Sequence, residues 1–470
     1  MNSNEKIKEL LAKALVQLKN TGIDQGEILY WETEMGSIRT FLNRISHNGF
    51  SDEAELYVSS IRSKKMGQFH TTDLSKKGIE FAIEEATNQA KHGTPLNSFP
   101  VLQEPYDDGL LIKKNYFDAT LQISPDEKIK MIQDMFDISR KNGLDCSANL
   151  MSGGGKVGIV NTSGLLKVTE FTEASLNLIL TGNHTISAYS SGSSENIETL
   201  NMNQIIQEAI LNANRQKLPT RDPIDFMGND FCIDLILEPY AVAEWIEIIG
   251  SIGLNGLRFE EGESFVSGKL NQRLLGKNIT LYDDATDARG LIVPFDFEGV
   301  PKRKHILFEN GIAKSACYDL FLGEKYHKKS TGHALPPFER SYGAIPRHMV
   351  MVGGNTSLEE MIISSEEPTL YITRFHYTNV VNPKEGILTG MTKDGTFLIR
   401  NGKIEGPVSN LRYLDSIPVA LNRVSQMGEP RLVHDPVGYG GLYPESVIVP
   451  PLKIKKVKFI GTSRNRDNTG

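Results

Sequence analysis

The sequence predicts an α+β fold: an N-terminal α/β-mixed domain over residues 1–220 and a mainly β, barrel-like C-terminal domain over residues 221–470. Three observations predict it. Helical and alternating apolar patterns interleave as far as Lys217. From about Asp230 onward glycine is frequent, β-branched residues cluster and helical patterns become rare. Between the two, Leu218, Pro219, Thr220, Arg221, Asp222 and Pro223 interrupt both patterns with two prolines, which makes this stretch the expected linker. A chain of 470 residues also exceeds one typical core.

The elements follow in order. Ile7, Leu10, Leu11, Ala14, Leu15 and Leu18 recur at steps of three and four, an amphipathic helix that Asn20, Thr21 and Gly22 close. Residues 27–34 and 37–44 are expected to be two short paired strands, and 55–62 with 65–71 a hairpin. Thr72, Asp73, Leu74 and Ser75 lead into a helix over 75–91 that buries Ile79, Ala82, Ile83 and Ala86. Residues 93–108 form a crossing loop, 125–142 a helix and 148–190 a β-rich stretch. Within that stretch, the glycine-dense segment 151–155 has no phosphate-loop ending and is expected to be a hairpin turn before the strand 156–160. Residues 190–194 are expected to be a flexible turn and 201–217 a helix.

In the second half, Asp283, Asp284 and Asp287 lack EF-hand spacing and are expected in a turn after a strand, bonding local backbone N–H groups. Gly438, Gly440 and Gly441 mark a flexible loop. Lys453, Lys455, Lys456 and Lys458 alternate irregularly with apolar residues, which predicts a strand with one irregularity whose lysines guard a sheet edge.

Composition excludes several classes. The chain is 39% hydrophobic and 23% charged, which suits a globular protein. Its net charge of −7, without a basic stripe, argues against direct nucleic-acid binding. Cys146, Cys232 and Cys317 are too few and too scattered for a disulfide framework. The N-terminus reads as an amphipathic helix instead of a signal peptide, and no apolar run is long enough to span a membrane. A soluble, cytoplasmic protein is expected. No Gly-x-Ser-x-Gly elbow stands on a strand–helix junction.

An ordered series of segments carries a resemblance. Leu237, Glu238, Pro239 and Tyr240 open a short helix that ends at Gly253, Leu254, Asn255 and Gly256. Residues 264–270, 279–284 and 296–301 follow, then 308–311, Tyr318 with Asp319, and 330–332. Thr373 with Arg374 and residues 397–402 complete the series, and 59–85 add an N-terminal part. This order and spacing resemble the TldD/PmbA family, once labelled modulators of DNA gyrase, and come closest to its PmbA/TldE-like branch. The protease branch of that family carries His-Glu-x-x-x-His on this helix. Two neutral histidines there bind zinc, and the glutamate serves as general base on metal-bound water. Within region 240–256 those three positions fall on Glu247, Ile248 and Ile252. Isoleucine neither binds metal nor accepts a proton. Val242, Trp245, Ile249 and Ile252 make an apolar stripe instead, with Glu244, Glu247 and Ser251 expected on the polar side. The protease branch also uses a cysteine ligand near its C-terminus, and no cysteine follows Cys317.

The resemblance therefore implies a non-catalytic subunit of a zinc-dependent peptidase complex acting on unfolded or small peptides. No catalytic residue and no metal ligand are expected in this chain; zinc is expected only in a TldD-like partner. The partner would be that protease subunit or, equally compatibly, a second copy in a homodimer. His333 follows Ser330, Thr331 and Gly332, where the family commonly has a small polar residue, and is expected to face a groove or partner surface, with Arg374 and His376. His305, Cys317, His327 and His333 lack standard zinc spacing, which favours ordinary core or surface roles. Two alternatives stand: a divergent peptidase or peptide-modifying enzyme active on its own, and a regulator of DNA gyrase.

Overall fold

A computed structural model describes residues 3–99, 101–107, 114–183, 185–227, 231–433 and 443–462. The loop at Gly438 lies outside them. The first half runs α1 (Ser3–Lys19), β1 (Gln25–Phe41), β2 (Arg44–Arg62), β3 (Lys65–Thr71), α2 (Lys76–His92), α3 (Asp118–Gln122) and α4 (Pro125–Lys141). It continues with β4 (Asp145–Asn161), β5 (Leu166–Gly182), β6 (Ile186–Ser194) and α5 (Met202–Arg215). The six strands form one antiparallel sheet in the order β3-β2-β1-β4-β5-β6. Helices α1 and α2 bury Leu11, Leu18, Ile79 and Ile83 against Ile28 and Val58 at one end. At the other end α4 and α5 bury Ile132, Phe136, Ile206 and Ala209 against Leu150, Leu176 and Leu178. The Ser75 hydroxyl accepts from the Gly78 N–H to start α2, and Ser124 and Glu127 form a reciprocal capping box on α4.

Three sequence expectations give way to this sheet. The two short strands expected at 27–34 and 37–44 are one continuous strand, β1, because Gly36 is paired on both sides, to Phe50 and to Ser152. The expected hairpin turn at 151–155 lies inside β4. There a Cβ on Gly153 would stand 2.3 Å from the Glu34 carbonyl oxygen, so glycine serves close strand approach instead of a turn. The expected flexible turn at 190–194 belongs to β6, paired with β5.

The second half runs β7 (Cys232–Leu237), α6 (Pro239–Gly253), α7 (Gly256–Glu260), β8 (Leu281–Asp283), β9 (His305–Glu309), β10 (Ile312–Ala313), α8 (Leu320–Tyr326) and β11 (His348–Met351). Next come α9 (Leu358–Ile363), β12 (Thr369–Asn382), β13 (Ile387–Arg400), β14 (Lys403–Pro407), β15 (Leu411–Ser416) and α10 (Ile417–Leu421). The last strands are β16 (Val424–Met427), β17 (Arg431–Val433), β18 (Ser446–Val449) and β19 (Leu452–Thr462). Strands β12, β7, β19, β15 and β13 pair in sequence, and β13 returns to β12, which closes a five-stranded barrel. A second sheet has the order β10-β9-β8-β11-β18-β17. No helix among the described residues is long and apolar enough to cross a membrane.

Strand β19 has the expected irregularity, a register shift between Ile454 and Val457 with Lys456 at φ 52°. It guards no edge, however. It pairs with β7 on one side and with β15 and β16 on the other, and Lys453 is buried with its Nζ 3.1 Å from the Met361 carbonyl oxygen. The expected linker is docked as well: the Arg221 N–H donates to the Pro407 carbonyl at 2.8 Å. Leu29, Val157 and Ile159 of the first sheet share a core with Phe295 and Phe297 of the second half.

Candidate functional site

Helix α6 carries Glu247, Ile248 and Ile252, the positions to which the resemblance assigns the zinc motif. Pro239 occupies its first turn, where a missing N–H costs nothing. Ile246, Ile249 and Ile252 join a core shared with barrel residues Leu235, Leu370 and Phe375. Trp245 lies parallel to Phe375 at 5.1 Å, and its indole N–H donates to the Tyr413 hydroxyl at 2.9 Å. The helix is buried almost all round. A Cβ on Gly253 would stand 2.1 Å from the Phe265 ring. Glu244, expected on a polar side, is buried too; burial pushes its carboxyl pKa up, against the pull of Thr378 and of the Arg374 charge.

Of the three motif positions, Glu247 and Ile248 are half-buried and Ile252 is 4% exposed within the core. One carboxylate and two aliphatic side chains do not fit zinc. Among the described residues no group of three or more His, Cys, Asp or Glu side chains is arranged to hold a metal ion.

The histidines cluster elsewhere. His333 is buried instead of facing a groove, 1% exposed, with Nδ1 2.8 Å from the Thr331 hydroxyl. Its Nε2 lies 3.1 Å from Asp283 Oδ1, close enough for an ion pair but without the alignment of a hydrogen bond. Asp283 also accepts the His348 backbone N–H at 2.7 Å and lies 3.8 Å from Lys302 Nζ. Burial opposes a charge on Asp283, yet Lys302, His333 and His348 together hold its pKa well below the usual carboxylate range. Burial, then the Lys302 charge, brings His333 down to about 4 and His348 to about 3. Both rings are thus neutral near pH 7, and Lys302 is the cation that balances Asp283. His305 lies 5.4 Å from His333 ring to ring, and buried Cys317 has its thiol pKa pushed up by burial. His327 is exposed at the end of α8, apart from the others. As expected, Asp284 and Asp287 accept local N–H groups, from Thr286 and Arg289, both at 3.0 Å.

A second buried cluster joins the two halves. Glu27 of β1, Asp296, Glu298 and Asp319 are buried together around Arg340, whose Nη2 lies 3.6 Å from Glu27 and 3.7 Å from Glu298. Asp296 accepts N–H groups from Glu298, Val300 and Ala334, which ties the turn at 296–300 to the strand-free segment after His333. Glu298 accepts from Leu320 at 2.7 Å and Asp319 from Leu322 at 2.6 Å. Burial raises Glu27 to about 7 and Asp296 to about 6.

Arg374 does not line an open groove either. Its Nε donates to Asp394 at 2.7 Å, its guanidinium sits 4.2 Å over Tyr189, and Asp394 accepts the Ser187 hydroxyl at 2.5 Å. These contacts join β12 and β13 to β6. His376 stays half-exposed beside Tyr377, which is largely exposed.

Residues 232–461 match the model of the PmbA/TldA metallopeptidase C-terminal domain. The second half of this chain belongs to the TldD/PmbA family. The metalloprotease TldD homolog of Buchnera aphidicola is 28% identical over 226 residues, 46% of this chain. The chain spans only 45% of that relative's length. The metalloprotease PmbA homolog of Haemophilus influenzae is 24% identical over 407 residues, 80% of this chain and 81% of the relative. The crystal structure of TldE from Thermococcus kodakarensis has the same fold, with a TM-score of 0.86 at 21% identity over 96% of this chain and all of that one. The family segments 296–301, 318–319 and 330–332 are those that build the two buried clusters. Asp283, Lys302 and Arg340 were missed as partners, since nothing in local spacing marks a charge that is buried.

Proposed function

We propose that this chain is the non-catalytic subunit of a TldD/PmbA-type zinc peptidase assembly in the cytoplasm. It supplies wall and interface to a TldD-like protease that holds the metal and cuts unfolded or small peptides. The observation that carries this reading is helix α6, where Glu247, Ile248 and Ile252 stand at the zinc-motif positions and Ile252 is core. Isoleucine cannot take up a proton from metal-bound water, so the general base is missing along with the ligands. The likeness to TldE and to a PmbA homolog supports the same branch. A net charge of −7 disfavours direct contact with DNA.

Mixing the purified chain with a TldD-like protease tests this. A heteromeric complex in sedimentation, with peptide cleavage only when the protease is present, is the expected outcome. Chelator-sensitive cleavage by the chain alone would establish the rival reading of a self-sufficient peptidase.

A further inference from the structure

A cavity of about 740 Å³ opens between α5, the start of α6, α9 and β14. That volume lies in the range of small-molecule sites, roughly 300–1,000 Å³. Its inner end is a polar network: the Glu238 carboxylate accepts from the Tyr371 hydroxyl and from Asn212 Nδ2 at 3.2 Å. Apolar side chains line the approach. Two of them, Leu211 and Ile363, are 53% and 63% exposed, which is solvent contact that a ligand would remove.

The charges around this cavity are the informative part. Glu208 is already paired with Arg431 at 2.7 Å. Besides Glu238, four other charged groups line the cavity and have no ion pair among the described residues: Arg215 on α5, Lys403 on β14, Glu359 on α9 and Glu429 just before β17. Arg215 donates from Nη1 to Asn212 at 2.9 Å and lies 5.1 Å over the Tyr371 ring, whose hydroxyl it also approaches; a guanidinium has five N–H donors, so several are left for a ligand. Cations and carboxylates line one cavity yet stay too far apart to pair, with apolar surface in the same space. A ligand that carries both charges and an apolar body satisfies all three features at once.

We infer that this cavity binds a short peptide with apolar side chains and both termini free, its carboxylate on Arg215 and Lys403 and its ammonium on Glu359 and Glu429. The choice of a peptide rests on the peptide-handling reading above. Binding is nevertheless a property of this chain alone.

Calorimetric titration of the full chain, with no partner present, by the tripeptide leucyl-alanyl-leucine tests it. Saturable binding is expected, weakened about tenfold by C-terminal amidation and about tenfold by N-terminal acetylation. Arg215→Gln erases the preference for the free carboxylate. Lys403→Gln, exposed at the start of β14 and away from the Tyr371 stacking, reduces it even if Arg215→Gln fails to fold. The double variant Glu359→Gln, Glu429→Gln erases the preference for the free amine. No saturable binding, or equal binding of the blocked forms, overturns the inference and leaves the subunit reading standing. Cleaved tripeptide found by mass spectrometry after the titration would instead overturn the subunit reading.

Discussion

Glu27 projects from a strand of one half into a pocket of carboxylates and one arginine supplied by the other. Burial dominates its titration, raising it from 4.5 to about 7, while Arg340 pulls down and Asp296 pushes up. A carboxyl raised on folding contributes stability that is present below its unfolded pKa and lost as pH rises through the folded one. For Glu27 that window runs from 4.5 to about 7. Glu27→Gln cannot ionise and escapes the loss. Thermal unfolding should therefore show the variant more stable than wild type at about pH 8, by up to about 3 kcal/mol, and the gain should vanish near pH 5. A gain equal at both pH values would mean that Glu27 is not the titrating group. His333 and His348 run the opposite way: their pKa values fall on folding, so their contribution is lost as pH drops from 6.5 through about 4 and about 3. At this scale the sequence was least legible. It placed Glu247, Ile248 and Ile252 on one short helix, as α6 has them, but it put His333 and Arg374 on a groove. Burial depends on contacts between residues far apart in the chain, and periodicity within one element cannot report them.

Among the elements, helices were read well because they announce themselves locally. Ser75 and Ser124 cap the helices expected over 75–91 and 125–142. The glycines of β4 were misread for the opposite reason. Gly153, Gly154 and Gly155 look like a turn in sequence, yet they are glycine because neighbouring backbones come too near for a Cβ. Gly153→Ala would set a methyl 2.3 Å from the Glu34 oxygen and 2.9 Å from Met35 Cα, both backbone atoms with no freedom to yield. Chemical denaturation should show a loss of about 2 kcal/mol or more. Gly461→Ala in β19, with nothing within 4 Å of the new carbon, should stay within about 0.5 kcal/mol. If the two variants cost the same, close strand approach is not what β4 requires. Strand β19 teaches the same lesson: alternating lysines suggested an edge, but barrel closure gives that strand neighbours on both sides.

At the scale of the molecule, the α+β class and the mainly β second half were legible from composition shift alone, whereas the closure of the barrel was not, since strand order is a property of pairing. The halves are joined by more than a linker. The Tyr240 hydroxyl of α6 donates to the Ser191 carbonyl at 3.0 Å and accepts the Ser191 N–H at 3.1 Å, and Arg431 pairs with Glu208 of α5. Scanning calorimetry should show a single unfolding transition, with Tyr240→Phe lowering stability by about 1–3 kcal/mol; two separated transitions would mean that these contacts do not couple the halves. The central claim, that this chain holds no zinc of its own, is tested most directly by metal analysis of the purified protein, alone and mixed with a TldD-like protease. Zinc far below stoichiometric in the chain alone, and about one equivalent per protease subunit in the mixture, is the result predicted. One tightly held zinc in the chain alone, lost on substituting His305, Cys317, His327 or His333, would contradict it.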